Sequence, residues 1–338
     1  EVLGESKLDL PPPTLRTLAP RGPREFYEGE IPDSIAAEFA RGGGNITKAD
    51  LAGYRAAWRE PVRAGYKGFT LLSMPPSSSG GVTIAETLNI LETFPSLPRF
   101  GTAAYTHLLA SAFQRAFVDR NGKLGDPDFV QVPIAELTSD AYARRLAASI
   151  DLRRATPTMQ LAGSSLREGT GTTHYSVVDA EGNAVATTTT INGLYGSGVY
   201  IAGAGFFMNN EMDDFAARPG EPNQFGLVQG EQNAIAPGKR MLSAMAPTIV
   251  LDREGQVLLV LGSRGGPRII TSVTQTIVNV IDHGMSLADA INAPRLHHQA
   301  LPDTIRYEPR GFAPTLLDSL RSLGYGLRDI GNIFGGNE

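Results

Sequence analysis

The hydrophobic pattern of this 338-residue chain changes character at residue 172, and that change limits the architectures open to it. Before it, apolar residues recur at helical spacing. Tyr105, Leu108, Leu109, Ala112, Phe113, Ala116 and Phe117 fall on one face of a helix predicted over 103–120. Further helices are predicted over 32–40, over 82–94 after the flexible Ser77-Ser78-Ser79-Gly80-Gly81, and from Thr138-Ser139-Asp140 to about Ala148. Gly42-Gly43-Gly44 ends the first of these, and Thr47-Lys48-Ala49-Asp50 resembles a capping box. The stretch 155–171 is small and polar and reads as a loop or linker. After it, β-branched runs dominate. His174–Asp179 and Ala184–Ile191 flank Glu181-Gly182-Asn183, a hairpin pattern, and Pro247–Leu251 and Val257–Leu261 flank a second turn. The segment Ile269–Ile281 reads as a helix apolar all round, hence buried. Hairpins plus a buried helix predict an α+β fold with helices on antiparallel sheets.

Composition narrows the function classes. Hydrophobic residues make up 41% and charged residues 19%, enough apolar surface for a core. The net charge of −5 and the absence of a basic stripe argue against nucleic-acid binding. There is no cysteine, so disulfides, thiol nucleophiles and cysteine-ligated metals are excluded. The chain starts Glu1-Val2-Leu3 with no signal-peptide pattern, and both ends read as cuts.

Several strings carry chemistry. A threonine hydroxyl is a weak nucleophile unless a base lies beside it. A chain break between Gly171 and Thr172 supplies one, the α-amino group of Thr172 itself; β-propensity alone also accounts for a Thr-Thr pair opening a strand. Gly262-Ser263-Arg264-Gly265-Gly266-Pro267-Arg268 lies between a strand and a helix. It lacks phosphate-loop spacing, which leaves a plain turn or an oxyanion hole. Asn209-Asn210-Glu211-Met212-Asp213-Asp214 suits either an ammonium group or a solvated loop. His297 and His298, adjacent and without a spaced third ligand, make a poor metal site. The lone Trp58 reads as a packing residue.

Taken together the strings resemble the γ-glutamyltranspeptidase family of N-terminal nucleophile hydrolases. The resemblance runs through MPPSSSGG (74–81), LGDPDF (124–129), TTHYSVVDAEGNAVA (172–186), the Asn-Asn-Glu-Met-Asp-Asp run, Gly238–Ser243, Ala246–Val250, Gly265-Gly266 and Asn292–Arg295. It implies a four-layer αββα sandwich, incomplete at the N-terminus, made from a precursor that cleaves itself between Gly171 and Thr172. Residues 1–171 would be the C-terminal part of the large subunit and 172–338 the small subunit. The resemblance makes Thr172 the nucleophile and Thr190 its hydrogen-bonding partner. It makes the Gly265 and Gly266 amides the oxyanion hole, Asn192, Glu211 and Asp214 the ammonium site, and Ser243 a carboxylate ligand. It implies no metal or cofactor, a γ-glutamyl donor such as glutathione, an amino-acid or peptide acceptor, and a periplasmic or extracellular location. Two departures stand out. Ala244 replaces a second serine, and Phe225 replaces a tyrosine in the lid-like segment 216–227, which implies a looser gate. The family's carboxylate-gripping arginine lies upstream of this sequence. Related implied activities are a glutaryl-cephalosporin or poly-γ-glutamate acylase, or an uncleaved, non-catalytic homologue.

Overall fold

The computed structural model describes residues 13–158 and 172–331. Helices α1 (Pro13–Arg21), α2 (Glu25–Glu28), α3 (Glu30–Gly42) and α4 (Lys48–Gly53) come first. Strands β1 (Val62–Tyr66) and β2 (Phe69–Ser73) follow, then α5 (Gly80–Glu92), α6 (Ala103–Lys123), α7 (Ile134–Leu137) and α8 (Asp140–Ala148). After residue 172 come β3 (Thr172–Val178), β4 (Ala184–Thr190), β5 (Tyr200–Ile201), β6 (Phe206–Phe207), β7 (Thr248–Leu251) and β8 (Val257–Leu261). The last elements are α9 (Arg268–Ile281), α10 (Leu287–Asn292), β9 (Leu296–His297), β10 (Thr304–Tyr307), α11 (Pro314–Ser322) and β11 (Gly326–Asp329).

The chain divides into two compact units. The smaller contains residues up to Arg59 together with Tyr195–Asn210. Its core is Ile31, Ile35, Ile201 and Ala204, with Phe26 stacked on Phe206. The capping box appears as read: Thr47 accepts from the Asp50 N–H and Asp50 accepts from the Thr47 N–H. Gly43, at φ +75°, closes α3 in the left-handed conformation that glycine adopts without strain.

The larger unit holds the remaining residues. Its sheet runs β1-β2-β7-β8, all antiparallel, with Leu71 opposite Val250 and Ile249 opposite Val260. Alternation turns Leu71, Val250, Leu259 and Leu261 into the core with Leu88, Phe113, Phe117, Ile270 and Ile277 of α5, α6 and α9. The β3–β4 hairpin lies against β7 and β8, and Ser176 Oγ donates to the Val260 carbonyl at 3.0 Å. Helices, sheet and hairpin follow one another in layers, an α+β arrangement. The outer hairpin face, with Tyr175, Val177 and Val185, is exposed, and no outer helical layer occurs among the described residues.

Three readings from sequence are corrected. The described part of the segment before residue 172 is mostly helical, as read, but Val62–Ser73 forms a hairpin that the reading lacked, and its second strand pairs with β7. Helix α9 is buried on nearly every side but is not apolar all round. Thr271, Ser272, Thr274, Gln275, Thr276 and Asn279 are buried too. Hydrogen bonds back to the preceding turn satisfy the threonine hydroxyls, as in Thr274 Oγ1 to the Ile270 carbonyl at 2.8 Å. Trp58 is fully exposed, in a stretch with no helix or strand to give it a buried face.

The start of α5 is set by close approach. A Cβ at Gly80 would lie 2.5 Å from the Met245 carbonyl oxygen and 2.6 Å from the Ala246 Cβ. Gly80→Ala therefore lowers unfolding stability by about 1–3 kcal/mol, although alanine is the better helix former. Gly122→Ala, with nothing within 4 Å, raises it by roughly 0.5–1 kcal/mol. Denaturant unfolding of both variants checks the opposite signs.

Candidate active site

Strand pairing brings the first two candidate residues together. Thr172 and Thr190 face each other across the β3–β4 hairpin, and the Thr172 hydroxyl donates to Thr190 Oγ1 at 3.1 Å. Thr190 Oγ1 also accepts the Asn192 N–H at 2.8 Å. Asn192 is buried at φ +71°, a left-handed conformation that asparagine tolerates better than most side chains. The turn after β4 thus carries its amide back toward the threonine pair.

Acidic groups come from a single turn of 3-10 helix, Glu211–Asp214. Asp214 is buried, and its Oδ1 accepts from Asn192 Nδ2 at 3.0 Å. Burial pushes its carboxyl up to about 7, against the lowering effect of the Asn192 bond and the Arg120 charge. Burial, with the neighbouring Asp214 charge, pushes Glu211 up to about 8. Two carboxyls sharing one desolvated place favour a positively charged guest.

Ser243 is held from behind by the serine string. The Ser243 N–H donates to the Ser77 carbonyl at 3.0 Å, and the Ser243 carbonyl accepts from the Ser79 N–H at 2.8 Å and from Ser79 Oγ at 2.7 Å. Its hydroxyl accepts the Met245 N–H at 3.1 Å. Gly265 and Gly266 open α9 at φ +114° and +58°, and their carbonyls take the N–H groups of Arg268 and Ile269. Glycine is required at Gly266 twice over, by that φ and because a Cβ would meet the Phe225 ring at 2.7 Å.

Thr172, Thr190, Asn192, Glu211, Asp214, Ser243 and Gly266 line one recess. Gly265 adjoins it without lining it. Gly171 lies outside the described residues. Phe225 lines the recess and is not loosely held. It is buried, its N–H donates to Asn223 Oδ1, and its carbonyl accepts from Gln299 Nε2. His297 and His298 serve the interior: His297 bonds Thr271 and Gln299, and His298 lies 3.2 Å from Asp303. Among the described residues no group of three or more acids and histidines is placed to hold a metal.

Sequence reasoning missed Arg120, which also lines the recess. Its guanidinium is buried and donates to Ser79 Oγ, Asn121 Oδ1, Gln229 Oε1 and the Leu242 carbonyl. Burial lowers its pKa only to about 10, so it stays charged. The available signal was a basic residue three positions after Phe117, at the helical spacing of the apolar face of α6.

The sequence matches the family described as Gamma-glutamyltranspeptidase over residues 12–337. The chain belongs to the γ-glutamyltranspeptidase family. It is 49% identical over 314 residues to a glutathione hydrolase proenzyme of Escherichia coli (strain K12), covering 92% of this chain and 54% of that protein. It is 43% identical over 285 residues to an Acylase ACY 1 proenzyme of Pseudomonas sp. (strain SE83), covering 84% and 49%. A crystal structure of cephalosporin acylase from Bacillus halodurans matches with a TM-score of 0.81 at 28% identity, covering 96% of this chain and 56% of that one. The fold of this γ-glutamyltranspeptidase-family chain is thus that of an N-terminal nucleophile hydrolase. The chain spans about half the length of the curated relatives it matches.

The raised Asp214 pKa has a consequence independent of catalysis. Its folded value of about 7 exceeds its ordinary 3.8, so the folded state holds the proton more tightly. Stability then falls as pH rises between these values and levels off above them. Asp214→Asn removes that loss. Its melting temperature exceeds that of the unsubstituted protein by a margin that grows from pH 5 and levels off above about pH 7, the stability difference widening by on the order of 2 kcal/mol over that range. A constant margin across that range counts against the buried carboxylate.

Proposed function

We propose that the protein cleaves itself between Gly171 and Thr172 and then transfers or hydrolyses γ-glutamyl groups, with glutathione and other γ-glutamyl amides as donors. The observation that carries this reading is the shared recess: a threonine nucleophile candidate, two carboxyls and a serine–arginine side line one cavity. A γ-glutamyl head presents an ammonium and a carboxylate at one end and the scissile carbonyl at the other. Asn192, Glu211 and Asp214 take the ammonium, and Ser243 takes the carboxylate.

In this reading Thr172 Oγ attacks the donor's γ-carbonyl carbon while the Thr172 α-amine accepts its proton. The oxygen, now negative, lies against the Gly265 and Gly266 amides. Collapse breaks the amide bond, and the proton passes from the α-ammonium to the leaving amine. A γ-glutamyl ester on Thr172 remains. Water opens it to glutamate, or an amino-acid or peptide amine takes the group. The Thr190 hydroxyl fixes the direction of Thr172 Oγ. Residues 1–171 and 172–338 are then the large-subunit portion and the small subunit, and upstream residues of the large subunit cover the exposed face of the β3–β4 hairpin. A periplasmic or extracellular site of action goes with this reading; among the described residues no helix is long and apolar enough to cross a membrane.

A related acylase is the second reading. Ala244 offers no hydroxyl to a donor carboxylate, Phe225 puts an apolar ring on Gly266, and one relative is named an acylase. Rates on γ-glutamyl and glutaryl anilides separate the two, because only the first carries an ammonium.

Denaturing mass is the direct test of the nucleophile. Two pieces summing to the whole plus one water, the second starting at Thr172, are expected, and Thr172→Ala leaves one piece. An intact, uncleaved protein that is still fully active would overturn the mechanism. A pH profile follows from the acids. An ammonium binds ionised carboxylates, and those of Asp214 and Glu211 ionise near 7 and 8. For a γ-glutamyl donor, kcat/KM rises through about pH 7–8 mainly by a falling KM; a flat KM from pH 6 to 8.5 would remove these acids from the donor site.

A further inference from the structure

We infer that Asn233 is a positioning residue that sets the span between the ammonium end and the carboxylate end of the donor site. The inference rests on the proposed γ-glutamyl reading. The head of such a donor has a fixed separation between its charged groups, so the two ends of the site must be held at a fixed separation. They come from different stretches of chain, Glu211–Asp214 and Leu242-Ser243. One buried side chain bonds both.

Asn233 ends a short 3-10 turn and is 1% exposed. Its Nδ2 donates to the Asp214 carbonyl at 2.8 Å and to Gln229 Oε1 at 2.9 Å. Its Oδ1 accepts the Leu242 N–H at 3.0 Å, one residue before Ser243. A main-chain N–H only donates, so the oxygen must face Leu242 and the amide orientation is fixed. Both N–H groups and the oxygen are used. Gln229 braces the ammonium end: its Nε2 donates to the same Asp214 carbonyl at 3.0 Å, while its Oε1 accepts from Arg120 at 3.0 Å. Arginine only donates, which fixes this amide too. An amide has donors at one end and an acceptor at the other, as this bridge demands. Aspartate would set oxygen against oxygen at Asp214.

The test compares γ-glutamyl and glutaryl anilides with the intact protein, Asn233→Ala and Gln229→Glu, after denaturing mass has established cleavage. A glutaryl donor has no ammonium and does not need the span. The ratio of kcat/KM for γ-glutamyl over glutaryl falls by about tenfold or more in Asn233→Ala, chiefly through KM for the γ-glutamyl donor. Equal losses on both donors, or an unchanged ratio, overturn the inference, because a general loss of structure lowers both alike. Gln229→Glu keeps the acceptor for Arg120 and Asn233, sets an oxygen in place of the donor to the Asp214 carbonyl, and adds a negative charge beside Arg120. It gives a smaller fall in the same ratio, and it decides the matter if Asn233→Ala does not fold; an unchanged ratio there overturns the inference. An unsubstituted protein that turns over glutaryl but not γ-glutamyl anilide overturns the proposed function itself, and this inference with it. One that prefers γ-glutamyl anilide while both variants keep its ratio overturns the inference alone.

Discussion

The buried charge of Arg120 is the constraint around which the larger unit is arranged. A guanidinium removed from water must have its donors occupied, and each one left empty costs about 1–3 kcal/mol. Here the acceptors come from the start of α5, from α6 itself, from Gln229 and from Leu242. None of these segments can move away alone without stripping a partner from the charge. The serine string adds a second lock, since Ser77 and Ser79 exchange main-chain hydrogen bonds with Ser243. The residues of the recess lie mostly in loops and turns, and loops are held only as well as the structure beneath them. Arg120 and the serine string are that structure.

Much of the fold was legible because its signals are local. The β3–β4 hairpin announces itself by alternation and a Gly-Asn turn, and caps at Thr47 and Ser139 rest on side chains within one turn of the helix start. The β1–β2 hairpin was not legible. Its turn is Lys67-Gly68, with Lys67 at φ +51°, and lysine gives no warning of a left-handed position. Its second strand is fixed by pairing with β7, well over a hundred residues away in the chain, which no local pattern reveals. Helix α9 misled in the opposite sense, because its hydroxyls are buried by turning their bonds inward along the helix. Trp58 shows that size and apolarity place a residue inside only when an element supplies a face.

The candidate site divides the same way. Thr172 stood out as the first residue of a strand, and Glu211 to Asp214 as a charge run. Thr190, Asn192 and Ser243 are ordinary residues whose meaning is spatial, and resemblance to a family assembled them before any geometry did. Asn233, Gln229 and Arg120 do not touch the proposed donor's reacting carbonyl and left no mark in the sequence beyond polarity in buried stretches. A residue that works by spanning two loops has no signature in either loop.

Electrostatics connects the two proposed activities. With the recess empty, desolvation drives Asp214 and Glu211 toward their neutral forms, and Arg120 behind Asp214 only partly opposes this. An ammonium guest supplies the missing counter-charge and lets both acids ionise, so part of its binding energy appears as proton release. A glutaryl guest supplies none, and above about pH 7–8 it would share the recess with ionised, unbalanced carboxylates. Below that range the acids are neutral and the penalty vanishes. In the proposed reading, discrimination between γ-glutamyl and glutaryl donors is therefore itself a function of pH, steepest where these acids ionise. The apolar contacts of Ala244 and Phe225 contribute equally at every pH. In the proposed reading, acidic residues of raised pKa beside an apolar wall make one recess a selective γ-glutamyl site in mildly alkaline conditions and a more permissive acyl site in acidic ones.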